Sequence, residues 1–224
     1  MDWQKFKRVE ISPTTHCNAN CPLCARTNIS TGKKWDHIPL IHLSKEKIFS
    51  LVDHHIDVLG DIQTFEFCGD WGDPMMHPDI EDMVDYIIGK KKIYVAIDTN
   101  GGTRNPEFYA RLAQKHGEKI WINFSIDGAN KQTNLEYRKD VDFDLAIDNL
   151  KSFSKNNPWN CSWQMLLFMY NYHQIDDVAS FCEDHSVCFE FKANKRIWKY
   201  RTIEDPQTLA YIEEKKKDYR HLLP

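Results

Sequence analysis

The segment Pro13-Thr14-Thr15-His16-Cys17-Asn18-Ala19-Asn20-Cys21-Pro22-Leu23-Cys24 carries three thiols in a C-x3-C-x2-C pattern. Thiolates bind soft metals, and three of them within eight positions can serve one centre. Seven cysteines scattered at random would give this spacing in roughly half a percent of sequences, so chance is a poor explanation. The odd count also suits reduced thiols around a metal better than a disulfide framework. Pro22 interrupts any regular helix, so the segment is read as a loop. On the residues alone two metal readings stay open. Structural zinc takes four protein ligands, with His16 or His37 as the fourth, although the usual paired C-x2-C knuckles are missing. A cubane iron–sulfur cluster normally takes four thiolates. Three would leave one iron open to bind a small molecule directly.

The elements that must position this loop follow from the hydrophobic periodicity. Strand-length apolar runs fall at Lys7–Ser12, Gln63–Cys68, Ile93–Asp98, Lys119–Ile126, Cys161–Tyr170 and Val187–Lys192. Between them lie amphipathic stretches: Glu46–Leu59 after Ser44, Asp79–Lys90, Pro106–His116, Phe143–Lys155 and Gln174–His185, with a polar closing stretch Asp205–Arg220. Six βα units predict parallel strands with right-handed crossovers. Eight units need about 250 residues, so six units in 224 residues point to an α/β fold with a partial (β/α)6 TIM-like barrel. The cysteine loop then lies at the carboxyl end of the first strand, where such folds place their chemistry.

Strand faces refine this reading. Ile120, Ile122, Phe124 and Ile126 share one face of the fourth strand, while Trp121, Asn123, Ser125 and Asp127 share the other. Glu66 in the second strand and Glu190 and Lys192 in the sixth fall on the same mixed face. A parallel sheet covered on both sides should be apolar on both, so a polar face predicts a lumen for water, a cofactor or a polar substrate.

Composition excludes several classes. The formal charge is −4, with 29 Lys plus Arg against 33 Asp plus Glu, which disfavours nucleic-acid binding by phosphate neutralisation. Met1 to Arg8 has no apolar signal core, and no stretch approaches the roughly 18 apolar residues of a membrane span. The expectation is a cytoplasmic protein with no membrane partner. With 42% hydrophobic residues the chain supports one core and hence a single domain over 1–224, its core about 7–192 and a polar helical extension about 203–224. Neither a GxxxxGKS/T loop nor a GxGxxG fingerprint is present.

The C-x3-C-x2-C loop after the first strand of a six-unit partial barrel resembles the radical S-adenosylmethionine (SAM) superfamily. Further segments carry the resemblance at successive strand ends. Gly69-Asp70-Trp71-Gly72-Asp73-Pro74 is similar to the family's Gly-Gly-Glu-Pro segment, with Trp71 in place of the first Gly and Asp73 in place of Glu. Thr99-Asn100-Gly101 resembles its Thr-Asn-Gly turn, Ser125-Ile126-Asp127-Gly128 its Ser-x-Asp-Gly, and Tyr137-Arg138 its Tyr-Arg pair. Asn171 matches an Asn beside the adenosyl group. Taken singly, Gly72, Gly101 and Gly128 read as turn residues, Asp73 and Asp127 as helix caps, and Arg138 as a surface residue. Their joint order carries the resemblance.

It implies one [4Fe–4S] cluster on Cys17, Cys21 and Cys24, with SAM chelating the fourth iron. Gly72, Asp73, Pro74, Thr99, Asn100, Ser125, Asp127, Arg138 and Asn171 would form the SAM site. Reductive cleavage of SAM would yield a 5′-deoxyadenosyl radical that abstracts hydrogen from a substrate in the lumen. An electron donor such as flavodoxin or ferredoxin is implied. The short stretch beyond the sixth strand leaves no room for an auxiliary-cluster domain, as in compact members. Candidate substrate contacts are Glu66, Asn123, Glu190 and Lys192 in the lumen, with Trp71 and His77 at its mouth, favouring a small polar substrate or peptide. A glycyl-radical-enzyme activase is the alternative within this chemistry, and a structural zinc module the alternative outside it. Cys68, Cys161, Cys182 and Cys188 show no second cluster spacing and are read as buried or strand thiols.

Overall fold

The computed structural model describes residues 7–59, 62–90, 93–194 and 202–224, and the side chains of 57–59 lie outside that description. Residues 1–6 of the stretch read for a targeting signal are likewise outside it. Six strands form one parallel sheet in sequential order: β1 (Arg8–Ile11), β2 (Thr64–Phe67), β3 (Tyr94–Thr99), β4 (Ile120–Ser125), β5 (Cys161–Leu167) and β6 (Cys188–Ala193). The helices are α1 (Lys45–Leu59), α2 (Ile80–Ile88), α3 (Pro106–His116), α4 (Lys131–Tyr137), α5 (Phe143–Asn156), α6 (Ile175–His185) and α7 (Pro206–Asp218). This is the partial (β/α)6 architecture expected from the alternation, with β1 and β6 as the sheet edges. The fifth strand ends three residues before the expected Tyr170. Helix α4 has no counterpart in the hydrophobic periodicity.

Local chemistry starts the helices where they are needed. Asn105 accepts from the Phe108 amide and Pro106 opens α3. Asn130, Asp142 and Asp205 accept from the amides of Thr133, Leu145 and Thr208 to cap α4, α5 and α7. Each such cap is worth about 0.5–2 kcal/mol. The cap of α4 matters most here, because that helix carries Arg138 at its end toward the cysteine loop.

The two strand faces separate as the alternation predicts. Phe65, Phe67, Val95, Ile97, Ile120, Ile122, Phe124 and Phe189 are fully buried in the core between sheet and helices. Burying side chains of this kind stabilises by roughly 1.5–3 kcal/mol each, which locks the register and turns the alternate residues inward. Glu66, Asp98, Asn123, Gln164, Glu190 and Lys192 line a cavity of about 590 Å³ on that inner side. Arg8, Thr64, Tyr94 and Lys119 extend its lining to the strand starts. Helix α7 packs back on α6, with Lys215 Nζ and Tyr219 Oη donating to Asp176 at 2.9 and 2.6 Å.

Candidate active site

The cysteine loop leaves β1 and is tied to the exits of β2, β3 and β4. Gly72 makes the first tie. A Cβ there would stand 2.3 Å from the Thr14 carbonyl oxygen and 2.6 Å from that of His16. Only glycine permits this approach, and the next amide, Asp73, donates to the His16 carbonyl at 2.7 Å.

Asp73 makes the second tie. Its fully buried carboxylate accepts from Met75 N at 3.0 Å, Thr99 Oγ1 at 2.9 Å and Asn100 N at 2.8 Å. It caps the short turn at Pro74 and clamps the exit of β3 onto that of β2. Burial pushes this carboxyl upward against those three donors. From the clamped turn, Asn100 Nδ2 donates to Asn18 Oδ1 at 2.8 Å and lies 3.9 Å from Cys17 Sγ. Asn18 Nδ2 in turn donates to the Gly102 carbonyl at 3.2 Å.

The third tie comes from β4. Arg138 Nε donates to Asp127 Oδ2 at 2.6 Å, and the Asp127 side chain has no exposure. Burial works against the guanidinium's charge, but the Asp127 carboxylate first and Cys21 next more than offset it and raise its pKa. Asp127 Oδ1 accepts from Leu166 N at 2.6 Å. Asn171 completes the knot: its Nδ2 donates to the Asp127 and Leu166 carbonyls, and its Oδ1 accepts from Phe168 N. The Asn20 amide donates to the Lys139 carbonyl at 2.9 Å, closing the loop against α4.

Cys21 is buried, and Cys17 and Cys24 are half-buried. They pack with Ala19, Leu23, Tyr137, Val141 and Phe168 in an apolar bowl. Burial is the main cause that pushes the Cys17 thiol up to about 11 and raises Cys21, with Arg138 opposing it at Cys21. Iron binding at these thiols would displace those protons, and a dry, apolar surround would suit a cluster reactive toward water and oxygen. Among the described residues no three His, Cys, Asp or Glu side chains are grouped as ligands of a single metal ion. By donor chemistry, three thiolates can each serve a different iron of a cubane and leave one iron without a protein ligand.

The structure therefore gathers Cys17, Cys21, Cys24, Gly72, Asp73, Pro74, Thr99, Asn100, Asp127, Arg138 and Asn171 at one end of the sheet, with Ser125 ending β4 on its inner face. Glu66, Asn123, Glu190 and Lys192 line the lumen as expected. His77 does not stand at the mouth. It is 1% exposed, its Nε2 bonded to the Leu43 carbonyl at 2.7 Å and its Nδ1 accepting from Asp79 N at 3.1 Å. Both ring nitrogens are spent on backbone, so it is a structural histidine. Trp71 is exposed and outside the cavity lining. Asp127 is no helix cap; its oxygens go to Arg138 and β5. Sequence reasoning missed Asn18, Asn134, Asp98 and Gln164. Asn18 adjoins a cluster cysteine, and Asp98 and Gln164 sit on lumen-facing alternations, so position carried a signal for three of them. Asn134, whose Oδ1 accepts from Asp127 N, carried none.

Comparison with known proteins agrees with this geometry. The model of the radical SAM superfamily matches residues 11–182, from the end of β1 into α6. The chain belongs to the radical SAM superfamily. Members of this family are enzymes that use a [4Fe–4S] cluster and SAM. A mycofactocin maturase of Mycolicibacterium smegmatis is 27% identical over 75% of this chain and 39% of its own length. That of Mycobacterium ulcerans is 29% identical over 57% of this chain and 34% of its own. The chain thus spans little more than a third of these curated relatives. Among solved structures, Streptococcus suis SuiB bound to SAM superposes with a TM-score of 0.71 at 17% identity, covering 95% of this chain and 48% of SuiB. The enzyme anSMEcpe with bound SAM gives 0.66 at 16% identity, covering 95% and 59%. At such identities the likeness shows the fold, the partial barrel. No helix among the described residues is long and apolar enough to cross a membrane.

Proposed function

We propose that this radical SAM domain, one unit over 1–224 in the cytoplasm, acts on a polar substrate of peptide character. Cys17, Cys21 and Cys24 would hold the cluster, leaving its fourth iron to the amino and carboxylate groups of SAM. When bound, cluster and SAM supply the family's radical hydrogen abstraction, fed by an electron donor such as flavodoxin or ferredoxin. The observation that carries the reading is the three-thiol loop laced by Gly72, Asp73 and Asn100 to the carboxyl ends of β2 and β3, in a sheet whose inner face lines a polar lumen.

The protein's own residues position and shield. Asp73 spends its carboxylate on the Met75 and Asn100 amides and the Thr99 hydroxyl, Asn171 spends its side-chain amide on backbone, and together they hold the loops that would form the SAM recess. Arg138, held in place by Asp127, would offset the negative charge of the thiolates. Thr99 and Asn100 hold the Gly72–Pro74 turn in place through Asp73, and Ser125 and the backbone of that turn would offer hydroxyl and carbonyl groups to SAM. Tyr137, Val141 and Phe168 keep water from the thiols. In the lumen, Glu66, Asp98 and Glu190 face Arg8 and Lys192, a mixed-charge lining suited to backbone amides and charged side chains rather than to lipid. Support for a peptide comes from the mycofactocin maturases and from SuiB, whose solved structures include one bound to the precursor peptide SuiA.

Anaerobic reconstitution with iron and sulfide, followed by dithionite and SAM, tests the reading. 5′-Deoxyadenosine should form and should vanish in Cys21→Ala. Tightly bound zinc with no product would overturn it.

A further inference from the structure

A second cavity, of about 430 Å³, lies on the long segment between the cysteines and α1 and shares no lining residue with the lumen. Arg26 and Lys34 bring positive charge to it, and Trp35 and Leu40 bring apolar surface. Arg26 is 4% exposed, yet its buried Nε has no hydrogen-bond partner among the described residues. Leaving a buried donor of a charged group unmade is costly, a cost that an arriving anion would remove. Trp35 and Leu40 in its lining, and Ile29 and Ile41 in the same segment, are large apolar side chains exposed to solvent. Exposed apolar side chains interspersed with charge suit an interaction surface.

The charge identifies the partner. Residues 26–41 hold Arg26, Lys33 and Lys34 against Asp36 alone, a net of two positive charges in a chain of formal charge −4. The segment also touches the cluster loop directly. Lys34 Nζ donates to the Cys17 carbonyl at 2.8 Å and Asn20 Nδ2 to the Gly32 carbonyl at 3.0 Å. The lumen is left to the substrate, so this face is free for a different visitor.

We propose that the surface of residues 26–41 is the docking site of an acidic one-electron carrier protein, with a carboxylate of the carrier meeting Arg26. The proposal rests on the radical SAM reading above and locates the reductant's entry to it. In the encounter the carrier is oxidised by one electron and the cluster on Cys17, Cys21 and Cys24 is reduced by one, with no bond made or broken. Weak redox encounters bury little area, below about 1,200 Å² in total, and charge complementarity steers the approach.

Purified flavodoxin is the probe, titrated calorimetrically against the reconstituted enzyme at low and at physiological ionic strength. Lys33→Glu and Leu40→Asp change exposed side chains and preserve the fold; Arg26→Gln tests the anchor, with circular dichroism to verify folding. Each should weaken flavodoxin binding by about tenfold or more at low salt, and wild-type binding should weaken as salt rises. Flavodoxin-driven 5′-deoxyadenosine formation should fall in step, while dithionite-driven formation in Lys33→Glu and Leu40→Asp stays at the wild-type rate. Absent flavodoxin binding, unchanged affinity in both surface variants, or equal loss with dithionite would overturn the proposal, the last by placing the patch on the path of SAM or a peptide. Absence of dithionite-driven product in the wild type would instead sink the proposed function, and the titration would still decide the docking.

Discussion

Gly72→Ala is the sharpest perturbation of the architecture that holds the cysteines. The added Cβ would lie 2.3 Å from the Thr14 carbonyl oxygen, 2.6 Å from that of His16 and 2.9 Å from the Thr14 carbonyl carbon. All three atoms are backbone, so no rotamer change relieves the overlap. Reaching ordinary contact requires the two segments to separate by about 1 Å. That movement strains or breaks the 2.7 Å hydrogen bond from Asp73 N to the His16 carbonyl, one residue before Cys17. Overpacking costs about 1–3 kcal/mol and the lost hydrogen bond about 1 kcal/mol, together roughly 2–4 kcal/mol. For a domain of this size each kcal/mol lowers the melting temperature by about 2–4 °C, so the expected fall is roughly 4–16 °C. Because the movement displaces Cys17, iron retained after anaerobic reconstitution should fall as well. Gly69→Ala is the control, since a Cβ there meets nothing closer than Gly72 O at 3.3 Å. It should melt close to the wild type and bind a full complement of iron. A Gly72→Ala protein that melts and reconstitutes like the wild type would refute the claim that this close approach sets the cysteine loop.

Three other perturbations follow from the same network. Arg138→Met leaves the unexposed Asp127 carboxylate without its ion partner and should cost about 3–5 kcal/mol in urea unfolding; adding Asp127→Asn should recover part of that loss, and a single variant as stable as wild type would disprove the buried pair. Thr99→Val keeps the side-chain shape but removes the donor to Asp73, so it should destabilise by about 1.5–3 kcal/mol. An unchanged unfolding midpoint would show that Met75 and Asn100 alone satisfy that carboxylate. Cys21→Ala should lose most of the iron after reconstitution, whereas Cys182→Ala, altering a thiol buried between α6 and the sheet, should retain it; equal iron loss in both would contradict the assignment of the three ligands.

Much of the fold was legible because strands and helices bury one face each. The alternation of Ile120, Ile122, Phe124 and Ile126 with Trp121, Asn123 and Ser125 identified the core and lumen faces of β4, and the structure buries the first set and lines the cavity with Trp121 and Asn123. Helix α4 was hidden because seven residues span barely two turns, too few for a hydrophobic period to declare itself. The three-thiol loop was legible as a motif because its pattern lies in local spacing, and the structure holds it at the carboxyl end of β1. His77 was misplaced because an exposed and a backbone-bonded histidine look alike until the Leu43 carbonyl and the Asp79 amide are seen on its ring.

What this sequence determines alone is what depends on near neighbours: βα alternation, helix caps, the three-thiol loop and the polar face of the lumen. These rest on backbone periodicity and side-chain type, which act over a few residues. Only the tertiary structure decided which polar groups are free for chemistry and which are consumed by the chain. Asp73 and Asn171 match a ligand-binding pattern, yet their hydrogen-bonding atoms go to Thr99, Asn100, Leu166 and Phe168. Arg26 matches no pattern, yet it lies buried with an unmet donor beside the cluster loop. Burial and pairing are properties of the packed chain, because each partner arrives from a different strand end and no local run of residues records the meeting.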